Sequence, residues 1–388
     1  MNSRYPLRPL GEVLTLDLDP VAIEPTATYQ TAGVLSYGRG LFARPAITGA
    51  ETSYKQYFRL HRDQVVFSRL FAWEGAAALV KPEFDGFFVS SEFPTFTVDG
   101  ERAIPGYLGH LMRWPEFHEQ LAGSTRGLGL RRQRVHVDEF LAIEVPQPDL
   151  EEQRRIVTWL SGLLGRQEAM LSVIETQSAD AFLRALPSLV EAELQGVGGD
   201  MTTVSELVTL VADTVHPGED LGAARQFVGL QHVESHTGRR LGAGPIGSEK
   251  GRKFRFAPGD VVYGYLRPYL NKAWVADLDG LCSVDQYVLR PTGRMSSRLI
   301  GYVLRSSGVL EQARTLTHNL QLPRLRSGLL MAMKAPDIPL EQQAQMESRL
   351  SELSNRVCVI AGARRRQRET VDALGRAALN RAFAGIMS

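Results

Sequence analysis

A chain of 388 residues corresponds to two or three domains of ordinary size. With 44% hydrophobic and 22% charged residues, its composition excludes a disordered tail protein, a fibre and a low-complexity array. The formal net charge of +1 excludes a chain-wide positive excess, so any nucleic-acid site must be local. Two cysteines are too few for a disulfide framework or a cysteine zinc site, and no stretch approaches the roughly 18 apolar residues of a membrane span. The sequence therefore predicts a soluble protein of the reducing cytoplasm.

One pattern of apolar and turn residues occurs twice along the chain. Residues 58–70 return 196 positions later at 254–266, residues 84–93 return 194 positions later at 278–287, and residues 146–153 return 190 positions later at 336–343. The small drift in the offset indicates two copies that differ by short loop deletions. Each copy begins with short apolar runs between Gly, Pro and Asp, which predict strands joined by tight turns.

Each copy ends in a segment with a different period. Apolar residues there alternate at spacings of three and four over more than three heptads, which is typical of a coiled-coil seam. The spacing predicts helices near 151–194 and 341–384, and Pro187 is expected to kink or end the first of them. The seam residues of the two helices are Ile156, Leu160, Leu163, Met170, Ile174, Met346, Leu350, Leu353, Val357 and Ile360.

The predicted fold class is α+β, with two tandem α/β domains separated by two long helices. The domains are expected at 1–149 and 198–339, and the helical segments at 150–197 and 340–388. A long helix with an apolar stripe needs a partner, and the nearest partner is its own repeat. We therefore expect an antiparallel coiled coil that relates the two halves by an approximate two-fold axis. About 40 residues at 1.5 Å each make a rod of roughly 60 Å, longer than one DNA turn.

Positive charge is concentrated in the second globular segment. Residues 225–272 hold nine basic residues against three acidic ones, an excess of six positive charges in a chain of +1. Clustered Arg and Lys near tyrosines are the side chains that neutralise phosphates and contact base edges. The alternative is that the tyrosines alternate on a strand and the basic side chains are only solvated. The DNA-binding candidates of this segment are Arg239, Arg240, Arg252, Lys253, Tyr265, Arg267, Tyr269, Lys272, His318, Asn319, Gln321 and Arg324.

The first globular segment offers a different set of side chains. Its candidates are Arg39, Lys55, Arg69, Arg126, Arg131, Arg132 and Arg134, the last four beside the glycines of a predicted loop. Arginine can bind guanine bidentately, whereas the Asn319 and Gln321 amides of the second segment suit adenine. A loop that only turns the chain has a similar composition. The contrast indicates that the two segments read different sequences.

Motifs of catalysis are missing from the sequence. It contains no phosphate-binding loop, no His-Glu-x-x-His and no Gly-x-Ser-x-Gly. It also lacks the Asn- or Asp-Pro-Pro-aromatic tetrad of methyltransferases that act on amino groups. His232 and His236 are four residues apart but lack a third ligand, so no metal site is predicted. Asp260 is expected to be a turn residue at a strand end. The basic run 364–368 is either a solvated helix face or a docking patch.

The sequence resembles a known family in two kinds of motif. The first is the run Tyr265-Leu266-Arg267-Pro268-Tyr269-Leu270-Asn271-Lys272, followed by residues 279–291. The second is the step Pro-Gln-Pro-Asp-Leu-Glu-Glu-Gln before a long helix, and this step occurs twice in related form. Together they resemble the specificity subunits of Type I restriction-modification enzymes over nearly the whole chain. The first segment departs from the pattern, because residues 68–73 replace the Leu-Arg-Pro-Tyr-Leu-Asn-Lys run.

The resemblance implies a non-catalytic subunit with two target recognition domains that read a bipartite, non-palindromic duplex site. It also implies two methyltransferase subunits that bring S-adenosylmethionine and flip the adenine, and motor-nuclease subunits that use ATP and Mg. No cofactor is expected in this chain. Two alternatives stay open: a single-chain nuclease or methyltransferase whose site has no recognised motif, and an interaction scaffold that does not bind DNA.

Overall fold

The computed structural model describes residues 3–123, 134–196, 200–222, 224–246, 251–318 and 321–386. The chain forms two compact units of similar size. The first unit comprises Met1–Ser172 and Arg368–Ser388, and the second comprises Val173–Gln367. Each unit therefore contains a globular part and segments of both helical regions.

The elements follow one another along the chain in two series. Up to Thr176 they are β1 (Leu7–Pro9), β2 (Leu14–Leu16), β3 (Pro20–Ala22), β4 (Thr28–Tyr29), β5 (Ala32–Val34), β6 (Leu41–Ala43), β7 (Ile47–Thr48), β8 (Gln56–Arg59), β9 (Val65–Phe67), β10 (Ala77–Leu79), β11 (Phe88–Val89), β12 (Thr95–Val98), α1 (Pro105–Leu111), α2 (Pro115–Gly123), α3 (Val137–Leu141), β13 (Glu144–Pro146) and α4 (Leu150–Thr176). From Ala179 they are α5 (Ala179–Gln195), β14 (Met201–Thr203), α6 (Val204–Leu207), β15 (Val208–Val211), β16 (Thr214–Val215), β17 (Gln226–Val228), β18 (Gly244–Pro245), β19 (Lys253–Phe256), β20 (Val261–Gly264), β21 (Ala273–Val275), β22 (Gly280–Cys282), β23 (Gln286–Pro291), α7 (Ser297–Arg305), α8 (Ser307–Leu316), α9 (Ser327–Ala332), β24 (Lys334–Pro336) and α10 (Leu340–Ala384).

The first unit is built around an antiparallel sheet with the strand order β10-β9-β12-β2. Its strand β9 is buried on both faces: Val65 and Phe67 belong to one apolar cluster and Val66 to another. The rings of Phe67 and Phe140 stack at 4.2 Å in the first of these clusters. Residues of α4 and the last part of α10 complete that cluster, including Ile156, Leu160, Leu164, Ala382 and Phe383. The helices are therefore part of the core of the unit.

The second unit repeats this plan with other side chains. Its antiparallel sheet has the order β21-β20-β23-β15, in which each strand corresponds to one of the first sheet. In β20, Val261 and Tyr263 point to one cluster and Val262 to the other, as in β9. The first cluster includes α5 and the beginning of α10. A second sheet has the order β16-β19-β22-β17-β18, with β17 parallel to β22.

The helices that follow these sheets also correspond. Helices α1 and α2 match α7 and α8 at an offset of 192 residues, and a glycine holds each first helix close to its sheet. A Cβ at Gly109 would stand 3.3 Å from Leu79, and one at Gly301 would stand 3.1 Å from Val275. The two units thus share a strand order and a close helix-to-sheet contact at a glycine.

The recurring Pro-x-x-x-Leu-Glu step ends in a glutamine with the same role in both units. The Nε2 of Gln153 donates to the carbonyls of Pro148 and Arg102 at 2.9 and 3.0 Å. The Nε2 of Gln343 donates to those of Ile338 and Arg294, both at 2.9 Å. Both glutamines are buried, so these bonds tie the start of each long helix to its globular part.

The first helical segment differs from the prediction of one helix over 151–194. It is interrupted after Thr176, and Ser178 caps a new helix by accepting a bond from the backbone N of Ala181 at 3.2 Å. Helix α5 then continues through Pro187, so this proline does not end the helix. The ring is buried on the apolar face of α5, and this packing offsets the lost hydrogen bond. By contrast, α10 is continuous.

Most residues of the predicted seam lie inside the units. Ile156, Leu160, Ile174, Met346, Leu350 and Val357 are buried, and Leu163 and Leu353 are half-buried. Met170 and Ile360 instead remain 48% and 42% exposed, whereas Leu164 and Ala361 are buried. A straight α-helix drifts by about 20° per heptad from a strict seven-residue repeat, so Met170 and Ile360, two heptads after Ile156 and Met346, are turned by about 40° away from the buried face.

Candidate nucleic-acid interface

The loop between β20 and β21 in the second unit, residues 265–272, has a constrained backbone. Arg267 and Asn271 both lie in the left-handed region, at φ of 53° and 51°, on either side of a short 3-10 helix. The backbone N of Arg267 donates to the carbonyl of Pro323 at 2.7 Å, and Leu266 forms an antiparallel bridge with Arg324. The loop is thereby joined to the segment that carries the other polar candidates.

Exposed cations surround this junction. The side chains of Arg252, Arg267 and Arg324 are exposed or nearly so, and none has a carboxylate within ion-pair distance among the residues that the structure describes. Arg252 lies over the ring of Phe254 at 5.7 Å. Tyr269 is 42% exposed on the same loop. We call Arg252, Tyr265, Arg267, Tyr269 and Arg324 the reading surface.

A pair of stacked tyrosines supports the reading surface. The rings of Tyr265 and Tyr287 lie 4.3 Å apart, and the Tyr287 hydroxyl donates to the carbonyl of Leu325 at 3.0 Å. Burial and the nearby Asp285 raise the pKa of Tyr265, and they outweigh the positive charges of Arg324 and Arg252, which lower it. The hydroxyl is therefore protonated at neutral pH and can donate a hydrogen bond.

Other predicted residues of the second unit are bound within it. Arg239 pairs bidentately with Glu234 at 3.1 Å, and Arg240 pairs with Asp277 at 3.0 and 2.7 Å. The ammonium group of Lys272 donates to the carbonyl of Leu230 at 2.7 Å, and burial lowers its pKa. Lys253 donates to the carbonyl of Gly251 at 3.0 Å. Much of the local positive excess is thus matched by carboxylates and carbonyls.

The remaining candidates of this unit lie on the segment before α9. His318, Gln321 and Arg324 are exposed, and the Leu266–Arg324 bridge brings this segment to the loop of Arg267. Asn319 lies outside the described residues. Asp260 is a turn residue, as predicted, because its carboxylate accepts a bond from the backbone N of Ala257 at 3.0 Å and pairs with Arg290.

The first unit contains a cleft with several cations. The cleft has a volume of about 690 Å³ and is bounded by the Tyr37–Gly40 turn, α1, α4 and the end of α10. Arg39, Lys81, Arg113 and Arg376 all line it. Arg113 pairs with Glu168 at 3.2 Å, and the Nε of Arg39 donates to the carbonyl of Ser36 at 2.9 Å. Of these four cations, Arg39 is the one predicted from the sequence as a DNA-binding candidate.

The other candidates of the first unit are dispersed. Lys55 is exposed, and Arg69 is half-buried with its Nε unpaired among the described residues. Arg134 pairs with Glu92 at 2.9 Å. Arg126, Arg131 and Arg132 lie outside the described residues. The loop that carries Arg69 also exposes Leu70, Phe71 and Trp73, where the second unit exposes Arg267 and Tyr269.

Sequence reasoning missed residues that only the fold brings together. Lys81 and Arg376 are far apart in the chain but line one cleft, and no local pattern distinguishes them from other surface cations. Tyr287 lies within the family motif, but its role in supporting the surface was not predicted. The feature in the sequence that could have indicated this role is an aromatic residue two positions after Asp285, on the strand next to β20.

Among the described residues, no group of three or more His, Cys, Asp or Glu side chains could hold a metal ion. His232 and His236 make separate contacts, since the Nδ1 of His232 accepts from the backbone N of Gly229 and the backbone N of His236 donates to the carbonyl of Asn271. None of the described helices is both long and apolar enough to cross a membrane.

Comparison with known proteins gives two informative similarities. The chain is 27% identical over 124 residues to the Type I restriction enzyme EcoDI specificity subunit of Escherichia coli, a match that spans 31% of this chain and 28% of that relative. It also shares its fold with a chain from a structure on complex assembly and conformational transition of the type I R-M system, with a TM-score of 0.72 and 20% identity over 99% of this chain and 98% of that one. The resemblance to Type I specificity subunits is confirmed.

A further solved structure is more distant. The HsdS subunit from Thermoanaerobacter tengcongensis aligns over the full length of both chains at 19% identity, with a TM-score of 0.48. No family model matches the chain. The fold that this chain shares with the first solved structure is the mixed helix and sheet described above.

Proposed function

We propose that this chain is the DNA specificity subunit of a Type I restriction-modification enzyme and that each unit reads one half of a bipartite, non-palindromic duplex site. One observation carries the proposal. The two units have the same strand order, yet the loop after the matching strand exposes Arg267 and Tyr269 in the second unit and Leu70 and Phe71 in the first. One scaffold with two chemically different surfaces suits two different half-sites.

The reading surface has the chemistry for direct contact with a duplex. Arginine donates bidentately to guanine in the major groove, and Arg267 and Arg324 have no carboxylate within ion-pair distance among the described residues. The tyrosine hydroxyls can bond to phosphates or base edges. The near-zero net charge of the chain fits a subunit whose partners supply part of the phosphate contacts.

The helices are proposed to run antiparallel, to set the gap between the half-sites and to dock two methyltransferase subunits. Contacts inside each unit support this direction. In the first unit the Nε2 of Gln167 donates to the carbonyl of Val371, and in the second Arg364 donates to Gln177. From the first contact to the second, residue numbers rise from 167 to 177 in one helical segment and fall from 371 to 364 in the other, as they do in an antiparallel pair. On α10, Val359 and Ile360 are 68% and 42% exposed and offer apolar area to a partner.

Under this proposal the chain itself is not catalytic. The methyltransferase subunits would bind S-adenosylmethionine, and motor-nuclease subunits with ATP and Mg would join through them. The absence of catalytic sequence motifs in this chain is compatible with that division of labour.

The test is to express the chain with its neighbouring methyltransferase and to sequence the modified adenines of the host. We expect methylation at one bipartite motif, lost when this chain is deleted and altered at one half only when the loop at 265–272 is exchanged. Methylation of the same motif without this chain would contradict the proposal. Cleavage of DNA by the purified chain with magnesium alone, or its binding of S-adenosylmethionine, would favour a single-chain enzyme. Failure of the complex to bind any duplex would favour a scaffold.

A further inference from the structure

The backbone of Arg267 is an outlier that its surroundings must maintain. A left-handed conformation is unfavourable for an L-residue other than glycine, and asparagine tolerates it better than arginine does. The φ of 51° at Asn271 therefore suits an asparagine, whereas the φ of 53° at Arg267 is unfavourable for an arginine. Such strain persists only where several contacts fix the conformation, and it is concentrated at functional sites.

One end of the loop is fixed by the segment before α9. The backbone N of Arg267 donates to Pro323, and the backbone N of Leu325 donates to the carbonyl of Tyr265 at 3.0 Å. Both bonds use backbone atoms. They define where the first half of the loop lies.

The other end is fixed by Asn271. This side chain is only 2% exposed, and its Nδ2 donates to the carbonyl of Arg305 at 2.9 Å. The carbonyl of Asn271 accepts a bond from the backbone N of His236 at 3.0 Å. The second half of the loop is thereby tied to the last residue of α7.

Arg305 is a buried cation with an unusual set of partners. Its Nη1 donates to the carbonyl of Ala273 at 2.8 Å, and the guanidinium lies over the ring of Tyr302 at 5.0 Å. Among the described residues no carboxylate lies within ion-pair distance of it, and burial lowers its pKa to about 10. The group is still charged at neutral pH. Gly238 leaves room for it, since a Cβ there would stand 2.3 Å from the Nη1.

A buried charge without a counterion costs free energy, so its presence needs another reason than stability. The backbone carbonyl of Arg305 accepts the bond from Asn271 at the end of the loop, and its guanidinium donates to Ala273, the first residue of β21. We propose that Arg305 is a positioning residue that holds the loop at 265–272 so that Arg267 is presented to the DNA. This inference rests on the proposed function.

The experiment is a double-mutant cycle in the complex of the full chain with its methyltransferase subunits. Affinity is measured for a cognate duplex and for one in which a single half-site is replaced. Arg267→Ala and Arg305→Met are each expected to lower the preference for the cognate duplex by about tenfold, with unchanged affinity for the replaced duplex. Because Arg305 acts through Arg267, the double variant should lose no more than the worse single variant. Losses that multiply to about a hundredfold would overturn the inference.

Two further variants provide an independent test of the loop and a matched control. Asn271→Gly retains the left-handed backbone and removes the bond to the backbone carbonyl of Arg305, which Arg305→Met leaves in place. It tests this second tie of the loop even if Arg305→Met folds poorly, and it should also lower the preference for the cognate duplex. Arg298→Met, at an exposed arginine of the same helix α7, is the matched control and should leave the preference unchanged. If Arg267→Ala has no effect on either duplex, the proposed function of this loop fails. If Arg267→Ala acts while Arg305→Met and Asn271→Gly do not, only the positioning role fails.

Discussion

Tyr265 and Tyr287 stack in the second unit with their ring centroids 4.3 Å apart and their planes inclined by 23°. Tyr265 belongs to the loop that carries Arg267, and Tyr287 belongs to β23. The hydroxyl of Tyr287 also donates to Leu325, next to Arg324. One aromatic pair therefore connects the sheet to both segments of the reading surface.

Removal of that hydroxyl should loosen the reading surface. Tyr287→Phe keeps the ring stack but leaves the carbonyl of Leu325 without its donor, which should cost about 1 kcal/mol of unfolding free energy. Chemical denaturation of the chain measures this loss. Tyr269→Phe, at an exposed tyrosine, is the control and should be neutral. Equal stabilities of the Tyr287→Phe variant and the wild type would contradict the role of this bond.

The unpaired and the paired arginines should respond differently to salt. Arg324→Ala removes a cation available to a phosphate, so the slope of log affinity against log salt should fall by about one. Arg240→Ala removes a cation that Asp277 already binds, and its slope should match that of the wild type. Titrations of the complex with duplex at several salt concentrations measure both slopes. An identical change in the two variants would show that Asp277 does not neutralise Arg240.

In the first unit the end of the Gln167 side chain on α4 lies against Gly375 of α10. A Cβ there would stand 2.2 Å from the Oε1 of Gln167, whose Nε2 donates to Val371. Gly375→Ala should therefore push this amide off the Val371 carbonyl, and the broken bond should lower the unfolding free energy by up to about 1 kcal/mol, despite the higher helix propensity of alanine. Thermal denaturation measures the effect. Adding Gln167→Ala should restore part of the loss, and a stabilised Gly375→Ala variant would refute the contact.

His110 should make the first unit sensitive to acid. Burial and the charge of Arg113 lower its pKa from 6.5 to about 4, so between these values the unfolded chain binds a proton that the folded chain does not. Stability should therefore fall as the pH drops from about 6.5 to 4, by on the order of 1–3 kcal/mol. His110→Gln should flatten this part of the stability curve, and His318→Gln, at an exposed histidine, should not. Curves of equal steepness for wild type and His110→Gln would contradict the burial of this group.

The sequence predicted those features that depend on local pattern. The repeated apolar runs correspond to β9 and β20, and the repeated Pro-x-x-x-Leu-Glu step precedes α4 and α10. The start of each helix was predicted well because glutamates and a proline near a helix start have local causes. The interruption at Ser178 was missed because a serine cap competes with helix continuation only in its tertiary setting.

Site residues were harder to predict because charge partners are distant in the chain. Arg240 lies 37 residues from Asp277, so its bidentate pair could not be seen in a local count of charges. Arg267 and Arg324 are brought together by a bridge between two loops. The sequence supplied the correct residue types for a DNA surface, but which of them remain available depends on pairings that only the fold creates.

Arg113 and Arg305 occupy the same place in the two copies of the repeat, after α1 and at the end of α7. The first is half-exposed and pairs with Glu168, whereas the second is buried and has a carbonyl and an aromatic ring as partners. The same residue type at equivalent positions thus forms a surface ion pair in one unit and an internal support in the other. Its neighbours, and not its own chemistry, decide which of the two it is.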